Sequence, residues 1–290
     1  MMWVFCKLAK RMSTTGPTTM ESLLPVLYKQ GQQDAGGPMR DPQFLTTKPG
    51  RRIAYHHIAG QGPGLVFLGG LRSDMTGSKA LYLQDWAGKH GRAFLRFDYS
   101  GHGQSSGQFQ DGAIGDWFAD AQAALALTSG PQILIGSSMG GWIALLLARA
   151  LPARVAGLVG VAAAPDFTED IFAGFDKNQR KQLSDSGQLA LKSDYSDDPT
   201  IITCRMIDDG RTHLVLRQPL HLPFPTRFLQ GTDDPDVPPS VAIALLNHAQ
   251  GPDIRLTLVK GADHRFSTSD CLALIGDAVA DITQRVGQNA

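Results

Sequence analysis

The stretch Gln132-Ile-Leu-Ile-Gly-Ser-Ser-Met-Gly-Gly-Trp142 decides the fold of this chain. Its apolar, β-branched part, residues 133–135, is typical of a strand that is buried on both faces of a sheet. Gly136-Ser-Ser-Met-Gly140 then fits G-x-S-x-G, and the Ala- and Leu-rich run from Trp142 to Leu151 predicts a helix. Strand, tight turn and helix are the surroundings of a nucleophile elbow, which presents its central serine, here Ser138, at the apex. The alternative is a turn of small residues between a buried strand and a helix.

A serine at such an apex needs partners, because its hydroxyl is a weak nucleophile at neutral pH. A histidine must accept the proton, an acid must orient the imidazole, and two N–H groups must stabilise the oxyanion that forms. The amide of Met139 opens the predicted helix and is expected to supply one of these N–H groups. Leu71 follows Gly69-Gly70 at the end of the apolar run Leu65–Leu68 and is expected to supply the other. The alternative for Gly69-Gly70 is a flexible turn.

Two later loops carry candidates for the acid and the base. The first loop follows the predicted strand Arg227–Leu229 and is rich in aspartate, although such a turn is also a common cap for a helix. The second follows the strand that ends at Val259 and contains His264. Serine, aspartate and histidine thus occur in the chain order that a serine hydrolase of the α/β type requires, each after its own strand. The candidate acids are Asp233, Asp234 and Asp236.

Apolar strands alternate with helices along most of the chain, which predicts an α/β fold with a mostly parallel, twisted sheet and helices on both faces. Residues 41–290 are expected to form this domain. The other predicted strands are Gln43–Thr47, Arg51–Ile58, Ala93–Phe97, Val155–Ala164 and Ile254–Val259, and the other predicted helices are Ser78–Lys89, Asp116–Leu127, Val237–His248 and Cys271–Val286.

The alternation breaks between about residues 166 and 224, a connection far longer than usual. Charged helical material is predicted for Glu169–Leu191, and a hairpin is predicted around residues 208–210. An insertion of this length at the carboxyl edge of a sheet is expected to cap the site. Its Phe172 and Phe175 are expected to face the serine and line an acyl pocket, or alternatively only to anchor the cap.

Composition excludes several classes of function. The chain has 27 basic and 27 acidic residues, so no excess of positive charge favours binding to nucleic acid or to an anionic membrane. No apolar run is long enough to span a bilayer. The three cysteines are odd in number and far apart, which argues against disulfides and zinc and is typical of a reducing compartment.

The first 40 residues are predicted to be a disordered extension or a leader. Lys7, Lys10 and Arg11 precede the first acidic residue, Glu21, as in a transit peptide, but residues 30–37 are polar and lack a hydrophobic face. The expected location is intracellular: the cytoplasm if the protein is bacterial, or the mitochondrial matrix if residues 1–38 are a transit peptide.

Several of these motifs together resemble a known family. Over residues 41–284 the chain is similar to the serine α/β-hydrolases, and more narrowly to the mitochondrial abhydrolase-domain palmitoyl-protein thioesterase and acyl-glucuronide esterase with its bacterial relatives. The motifs that carry the resemblance are Phe97-Asp-Tyr-Ser-Gly-His-Gly103 with Ser105, Gly136 to Gly141, Gly231 to Asp234 with Val237-Pro238, and Asp263-His264-Arg265.

The resemblance implies serine catalysis on thioesters or activated esters, without a metal or a cofactor. The family's spacing from glycine to the acid and on to Val-Pro singles out Asp234. The substrate would be a small molecule or an acylated protein. Arg265 is expected either to hold a carboxylate on a leaving group such as glucuronate or to form a structural salt bridge.

Other hypotheses remain open at this point. A serine at position 138 excludes the epoxide hydrolases and haloalkane dehalogenases, which would carry aspartate there. A small-ester carboxylesterase or a C–C bond hydrolase would use the same three residues. A non-catalytic binding module is the alternative of a different class.

Overall fold

In the computed structural model of this protein, residues 41–48, 50–192 and 198–288 are described. The predicted leader, residues 1–40, lies outside this part of the chain, so the hypothesis about it stays a prediction. The chain from Pro42 onward forms one compact unit. Among the helices of the described ranges, none combines the length and the apolar character needed to cross a membrane.

The strands and helices alternate as the sequence predicts. The strands are β1 (Gln43–Thr46), β2 (Arg52–Ile58), β3 (Gln61–Leu68), β4 (Arg92–Phe97), β5 (Gln132–Ser137), β6 (Val155–Val161), β7 (Gln188–Leu191), β8 (Thr200–Thr203), β9 (Leu220–His221), β10 (Thr226–Gly231), β11 (Ala249–Gln250) and β12 (Ile254–Val259). The α-helices of the described residues are α1 (Ser78–Lys89), α2 (Ile114–Leu125), α3 (Met139–Ala150), α4 (Phe167–Gly174), α5 (Lys177–Ser186), α6 (Cys204–Thr212), α7 (Pro239–His248) and α8 (Ser269–Gln288).

Eight of the strands form one sheet in the order β1-β2-β4-β3-β5-β6-β10-β12. The strands β1 and β2 pair in antiparallel fashion, as do β2 and β4. The remaining neighbours in this sheet, from β4 through β3, β5, β6 and β10 to β12, are all parallel. The predicted, mostly parallel α/β architecture is therefore confirmed. β5 lies inside the sheet between β3 and β6, and all six of its residues are buried, as expected for a strand covered on both faces.

Alternate residues of the central strands belong to two apolar layers, one on each face of the sheet. Phe67 and Ile135 pack with Leu83 of α1 on one face. Leu134 packs with Trp142 of α3 on the other. Helices thus cover both faces, and the carboxyl ends of β3, β5, β10 and β12 meet at one edge.

The predicted helical segment Glu169–Leu191 is wrong at its carboxyl end. Helix α5 ends at Ser186, because Gly187 follows in the left-handed conformation with φ of 74° and its N–H donates to the carbonyl of Leu183. Residues 188–191 then form β7, which pairs with β8 as an antiparallel hairpin. Leu189 and Leu191 therefore lie on a strand.

The predicted hairpin around residues 208–210 is also wrong, because these residues belong to helix α6. The side chain of Thr203 caps the helix by accepting a hydrogen bond from Met206 N–H at 3.1 Å. The Asp209 carboxylate accepts a hydrogen bond from Gly115 N–H at 2.7 Å, and Gly210 packs so closely on Thr168 that a Cβ would overlap it. Contacts with other elements thus overrule a local turn signal.

Candidate active site

Ser138 lies at the junction of β5 and α3, with φ of 54° and ψ of −120°, a conformation that is costly for a residue other than glycine. The glycines of the motif make this junction possible. A Cβ at Gly136 would overlap the carbonyl oxygen of Gly140, and a Cβ at Gly140 would overlap that of Leu68. Helix α3 begins at Met139, three residues before the predicted start, because the small residues that follow Ser138 are part of its first turn.

The structure brings Ser138, His264 and Asp234 together in one chain of hydrogen bonds. His264 Nε2 lies 3.1 Å from Ser138 Oγ, and His264 Nδ1 lies 3.0 and 2.9 Å from the two carboxylate oxygens of Asp234. In the tautomer with its proton on Nδ1, the imidazole donates to Asp234 and leaves Nε2 free to accept the hydroxyl proton. Such a chain can activate a serine as a nucleophile.

Asp234 is held as a carboxylate although it is almost completely buried. Burial by itself would raise its pKa, but hydrogen bonds from His264, from Val237 N–H and from the Gln230 side chain outweigh it and hold the pKa of Asp234 below the ordinary value. The bond from Gln230 Nε2 measures 2.9 Å, and the one from Val237 N–H measures 2.8 Å. Asp234 therefore carries the negative charge that would stabilise an imidazolium at His264.

The two neighbouring aspartates occupy other positions. Asp233 is exposed and accepts a hydrogen bond from Thr232 Oγ1 at 2.9 Å. Asp236 is also exposed and contributes to the wall of the cavity described below. Of the three candidates, Asp234 makes the hydrogen bond to His264 Nδ1.

The two amides predicted to stabilise an oxyanion border the serine. Met139 follows it directly at the N-terminus of α3. On the other side, a Cβ at Gly70 would lie 3.3 Å from Ser138 Cβ, which places the turn that contains Leu71 beside the hydroxyl. Within the described residues, neither Leu71 N–H nor Met139 N–H donates to a protein acceptor. Both are available to a ligand.

A cavity of about 1110 Å³ opens above Ser138 and His264. Residues 166–224 contribute an apolar wall of four side chains, Phe167, Ile171, Leu191 and Ile202, and they also contribute the polar side chains Asp170, Lys192 and Thr200. The polar lining residues from outside this segment, here called the polar wall, include Ser73, Asp74, Ser78, Lys79, Arg265 and Ser267. The long segment between β6 and β10 therefore borders the site, at the place where the sequence predicts a cap.

The structure differs from the expectation for Phe172 and Phe175, which do not contribute to the wall of this cavity. Their rings pack on each other at 6.1 Å, and the guanidinium groups of Arg180 and Arg211 lie 5.2 and 4.7 Å from the Phe172 ring. Both phenylalanines thus anchor helix α4 within the segment. The same helix turns Ile171 toward the cavity instead. Arg265 lines the cavity, and its predicted contact with a carboxylate on the leaving group stays a prediction.

Lys79 is a lining residue that sequence reasoning missed. Its Nζ donates to the carbonyl oxygen of Arg265 at 2.5 Å and so connects α1 to the loop that carries His264. Burial lowers the pKa of the Lys79 ammonium, and the nearby Asp263 opposes this only in part. A lysine near the start of a helix gives no sequence signal for such a role.

Asp234, Asp236 and His264 also form, within the described residues, the one group of three side chains whose donor atoms lie close enough for a metal, all within 4.8 Å. The hydrogen bonds of Asp234 argue for another use. Its oxygens accept from His264, Gln230, Asp236 N–H and Val237 N–H, so both carboxylate oxygens already have hydrogen-bond donors. The prediction that the site needs no metal or cofactor stays a prediction.

This chain is similar to several known proteins. The family model for serine aminopeptidase S33 matches residues 67–198. The mitochondrial palmitoyl-protein thioesterase ABHD10 of Rattus norvegicus is 32% identical over 236 residues, which cover 81% of this chain and 80% of the rat protein.

Two solved structures are also similar. A putative hydrolase from Agrobacterium vitis S4 is 39% identical with a TM-score of 0.81, and the alignment covers 85% of this chain and 99% of that one. The mouse α/β-hydrolase domain-containing protein 10 is 30% identical with a TM-score of 0.79, over 85% of this chain and all of the mouse chain.

Proposed function

Because this chain belongs to the α/β-hydrolase family that includes the palmitoyl-protein thioesterase ABHD10, we propose that it hydrolyses acyl thioesters and esters through an acyl-enzyme on Ser138. The observation that supports this most directly is the hydrogen-bonded chain from Ser138 through His264 to Asp234. Its members lie on three separate loops, so the arrangement depends on the whole sheet.

The first half of the proposed reaction is acylation. Ser138 Oγ attacks the acyl carbon while His264 Nε2 takes the hydroxyl proton, and Asp234 stabilises the imidazolium. The negative charge on the former carbonyl oxygen is stabilised by Met139 N–H and Leu71 N–H. The bond to the leaving group then breaks, and the thiolate or alkoxide receives the proton from His264.

Deacylation repeats these steps with water as the nucleophile. His264 removes a proton from the water as its oxygen attacks the acyl carbon, and the same two amides stabilise the second oxyanion. Ser138 leaves with the proton from His264, and the acid is released. No redox change occurs, and water is the other reactant.

The cavity supports an acyl substrate with a polar leaving group. The apolar wall, which includes Ile171 and Ile202, would bury the acyl chain, and each buried CH₂ would contribute about 0.8 kcal/mol. Lys79 and Arg265 of the polar wall line the same cavity as His264. A polar leaving group, either a cysteine of a protein or a small molecule, would contact these residues.

The test is labelling by a fluorophosphonate, followed by identification of the labelled peptide by mass spectrometry. Ser138 should be labelled, the heat-unfolded protein should not, and Ser138→Ala should lower kcat by about 10⁶, as in other triads that act as a unit. A label on Ser137, or substantial turnover by Ser138→Ala, would refute the assignment. A chain that neither reacts with the probe nor hydrolyses thioesters would support the binding-module hypothesis.

The rat relative is named as mitochondrial, which bears on the predicted leader. Fusion of residues 1–40 to a fluorescent protein in a eukaryotic cell separates the two hypotheses, since a transit peptide would direct the fusion to mitochondria and an extension would not.

A further inference from the structure

Leu71 and Arg72 are the two central residues of a tight turn beside Ser138. Ser73 N–H donates to the carbonyl of Gly70 at 3.2 Å, and Ser73 Oγ donates to the same oxygen at 2.7 Å. Arg72, the third residue of the turn, has φ of 56°. Turns favour glycine or asparagine at a third position of this kind, because a larger side chain makes the conformation costly. An arginine at this position therefore has a conformational cost that other contacts must offset.

The side chain of Arg72 makes such contacts, because it reaches across to the hairpin of β7 and β8. Its Nη1 lies 3.1 Å from the carbonyl oxygen of Asp198, 2.8 Å from that of Pro199, and 3.3 Å from Thr200 Oγ1. Thr200 is the first residue of β8, and both Thr200 and Ile202 of this strand line the cavity. One guanidinium therefore joins the turn beside Ser138 to the apolar wall.

The turn also decides where Leu71 N–H points. The N–H of the second residue of a turn is not used by the turn's own hydrogen bond, so it is free to face a ligand. Leu71 N–H shares a peptide plane with the Gly70 carbonyl, which Ser73 holds by two hydrogen bonds, and the positive φ of Arg72 places Ser73 to make them. A costly conformation persists where contacts with the surrounding structure hold it.

We propose that Arg72 is a positioning residue for the oxyanion site. By binding the start of β8, it holds the Gly70–Ser73 turn in the shape that directs Leu71 N–H toward the oxyanion, and it thereby couples the placement of the hairpin to the rate of the reaction. This inference rests on the proposed function, because it needs an oxyanion beside Ser138.

The test compares Arg72→Ala with Arg92→Ala on a p-nitrophenyl acetate substrate. An acetyl group buries little apolar surface, so an effect on its kcat reports mainly on the oxyanion site. Arg92 is a matched control, because it is a half-buried arginine whose Nη1 also donates to a backbone carbonyl, that of Gly62, at 2.9 Å. A methyl trifluoromethyl ketone is the second probe, since it forms a tetrahedral oxyanion on the serine.

Arg72→Ala should lower kcat about tenfold, less than the complete loss of an oxyanion donor, and should weaken inhibition by the ketone to a similar degree. KM should change less than about twofold, and Arg92→Ala should behave as the wild type. Arg72→Gly should show the same loss, because glycine removes the guanidinium and holds the turn in no single conformation. Since glycine also adopts a positive φ without strain, this variant can fold even where Arg72→Ala does not.

Wild-type values of kcat and of ketone inhibition in both Arg72 variants would overturn the inference. A loss confined to substrates with long acyl chains would overturn it as well, because it would make Arg72 an anchor of the hairpin alone. A wild-type protein that neither reacts with the fluorophosphonate nor hydrolyses esters and thioesters would refute the proposed function instead, and the inference with it.

Discussion

Asp234 carries a negative charge in a buried position, and the stability of the protein should depend on pH accordingly. Its pKa is below the ordinary value of about 3.9 in the folded protein, because the hydrogen bonds it accepts outweigh the effect of burial. On acidification the unfolded chain therefore takes up this proton first. The stabilising contribution is complete above the ordinary pKa and is lost as the pH falls through the lowered one.

The measurement is the free energy of unfolding in urea for the wild type and for Asp234→Asn between pH 3 and pH 7. We expect the difference between the two proteins to be constant from about pH 5 upward and to shrink toward pH 3. Asp233→Asn, in an exposed position, serves as the control and should show no such pH dependence. A difference that does not change with pH would contradict the lowered pKa.

The same aspartate should dominate the kinetics. Asp234→Asn should lower kcat by about 10⁴, because an amide favours the wrong tautomer of His264. Asp233→Asn should have little effect. Asp236 has a donor atom within 4.8 Å of those of Asp234 and His264, so Asp236→Asn is the sharper control. If Asp236→Asn were the more damaging substitution, the acid of the triad would be Asp236.

At the scale of elements, the elbow depends on a close approach of β5 and α3 that Gly136 permits. A Cβ there would overlap the carbonyl oxygen of Gly140. Gly136→Ala should therefore lower the free energy of unfolding by about 1–3 kcal/mol, as overpacking in a core does. It should also lower kcat, because the strained Ser138 moves with the strand.

Gly88→Ala is the matched control for this substitution. Gly88 lies in helix α1, its φ is not positive, and a Cβ would meet nothing within 4 Å. Alanine should raise the free energy of unfolding by about 0.4–1 kcal/mol, because it reduces the conformational entropy of the unfolded chain. Thermal unfolding of both variants checks the pair, and a loss of equal size in the two would mean that the elbow is not the cause.

Elements with strong local signals were predictable from the sequence. Helix α1 has the predicted limits, and β5 follows from its apolar run and the glycines behind it. The long segment between β6 and β10 was predictable in its existence but not in its structure. Asp208-Asp209-Gly210 has the composition of a turn, yet the carboxylate of Asp209 binds the start of α2, and the residues remain helical.

The candidate site was likewise predictable in part. Ser138 and His264 follow from motif and chain order, since each lies on the turn after a strand and parallel strands end at one edge. The cavity wall does not follow, because neighbouring residues of one helix face different ways. Ile171 lines the cavity while Phe172 packs inside the segment, and both are apolar. Only the packing of α4 on the rest of the molecule decides between them.

At the scale of the whole molecule, the sheet holds the reacting groups and the segment between β6 and β10 supplies the apolar wall. Trp142 Nε1 of α3 joins the two parts by donating to the carbonyl of His213 at 3.1 Å. Within the segment, Asp166, directly before α4, accepts hydrogen bonds from Val215 N–H at 2.8 Å and from Leu216 N–H at 3.0 Å. These bonds fix the height of the wall above Ser138. The preference for acyl-chain length therefore depends on how the sheet and this segment pack together.

A comparison of two adjacent residues tests this preference. In the wild type, kcat/KM for p-nitrophenyl esters should rise over several carbons, because each buried CH₂ contributes up to about 0.8 kcal/mol. Ile171→Ala should flatten the rise, since Ile171 lines the cavity. Phe172→Ala should leave the slope unchanged, since its ring contacts Phe175 and Arg211 instead.

The quantity to compare is the ratio of kcat/KM for a long and a short ester in each protein. This ratio does not depend on the fraction of active enzyme, so a loss of stability in Phe172→Ala does not affect it. A slope flattened by Phe172→Ala and not by Ile171→Ala would mean that the cavity wall has been assigned to the wrong face of α4. A wild-type profile that is highest for acetyl and falls with every added carbon would favour a small-ester carboxylesterase over a thioesterase of long acyl chains, because an apolar wall that binds the chain must reward its length.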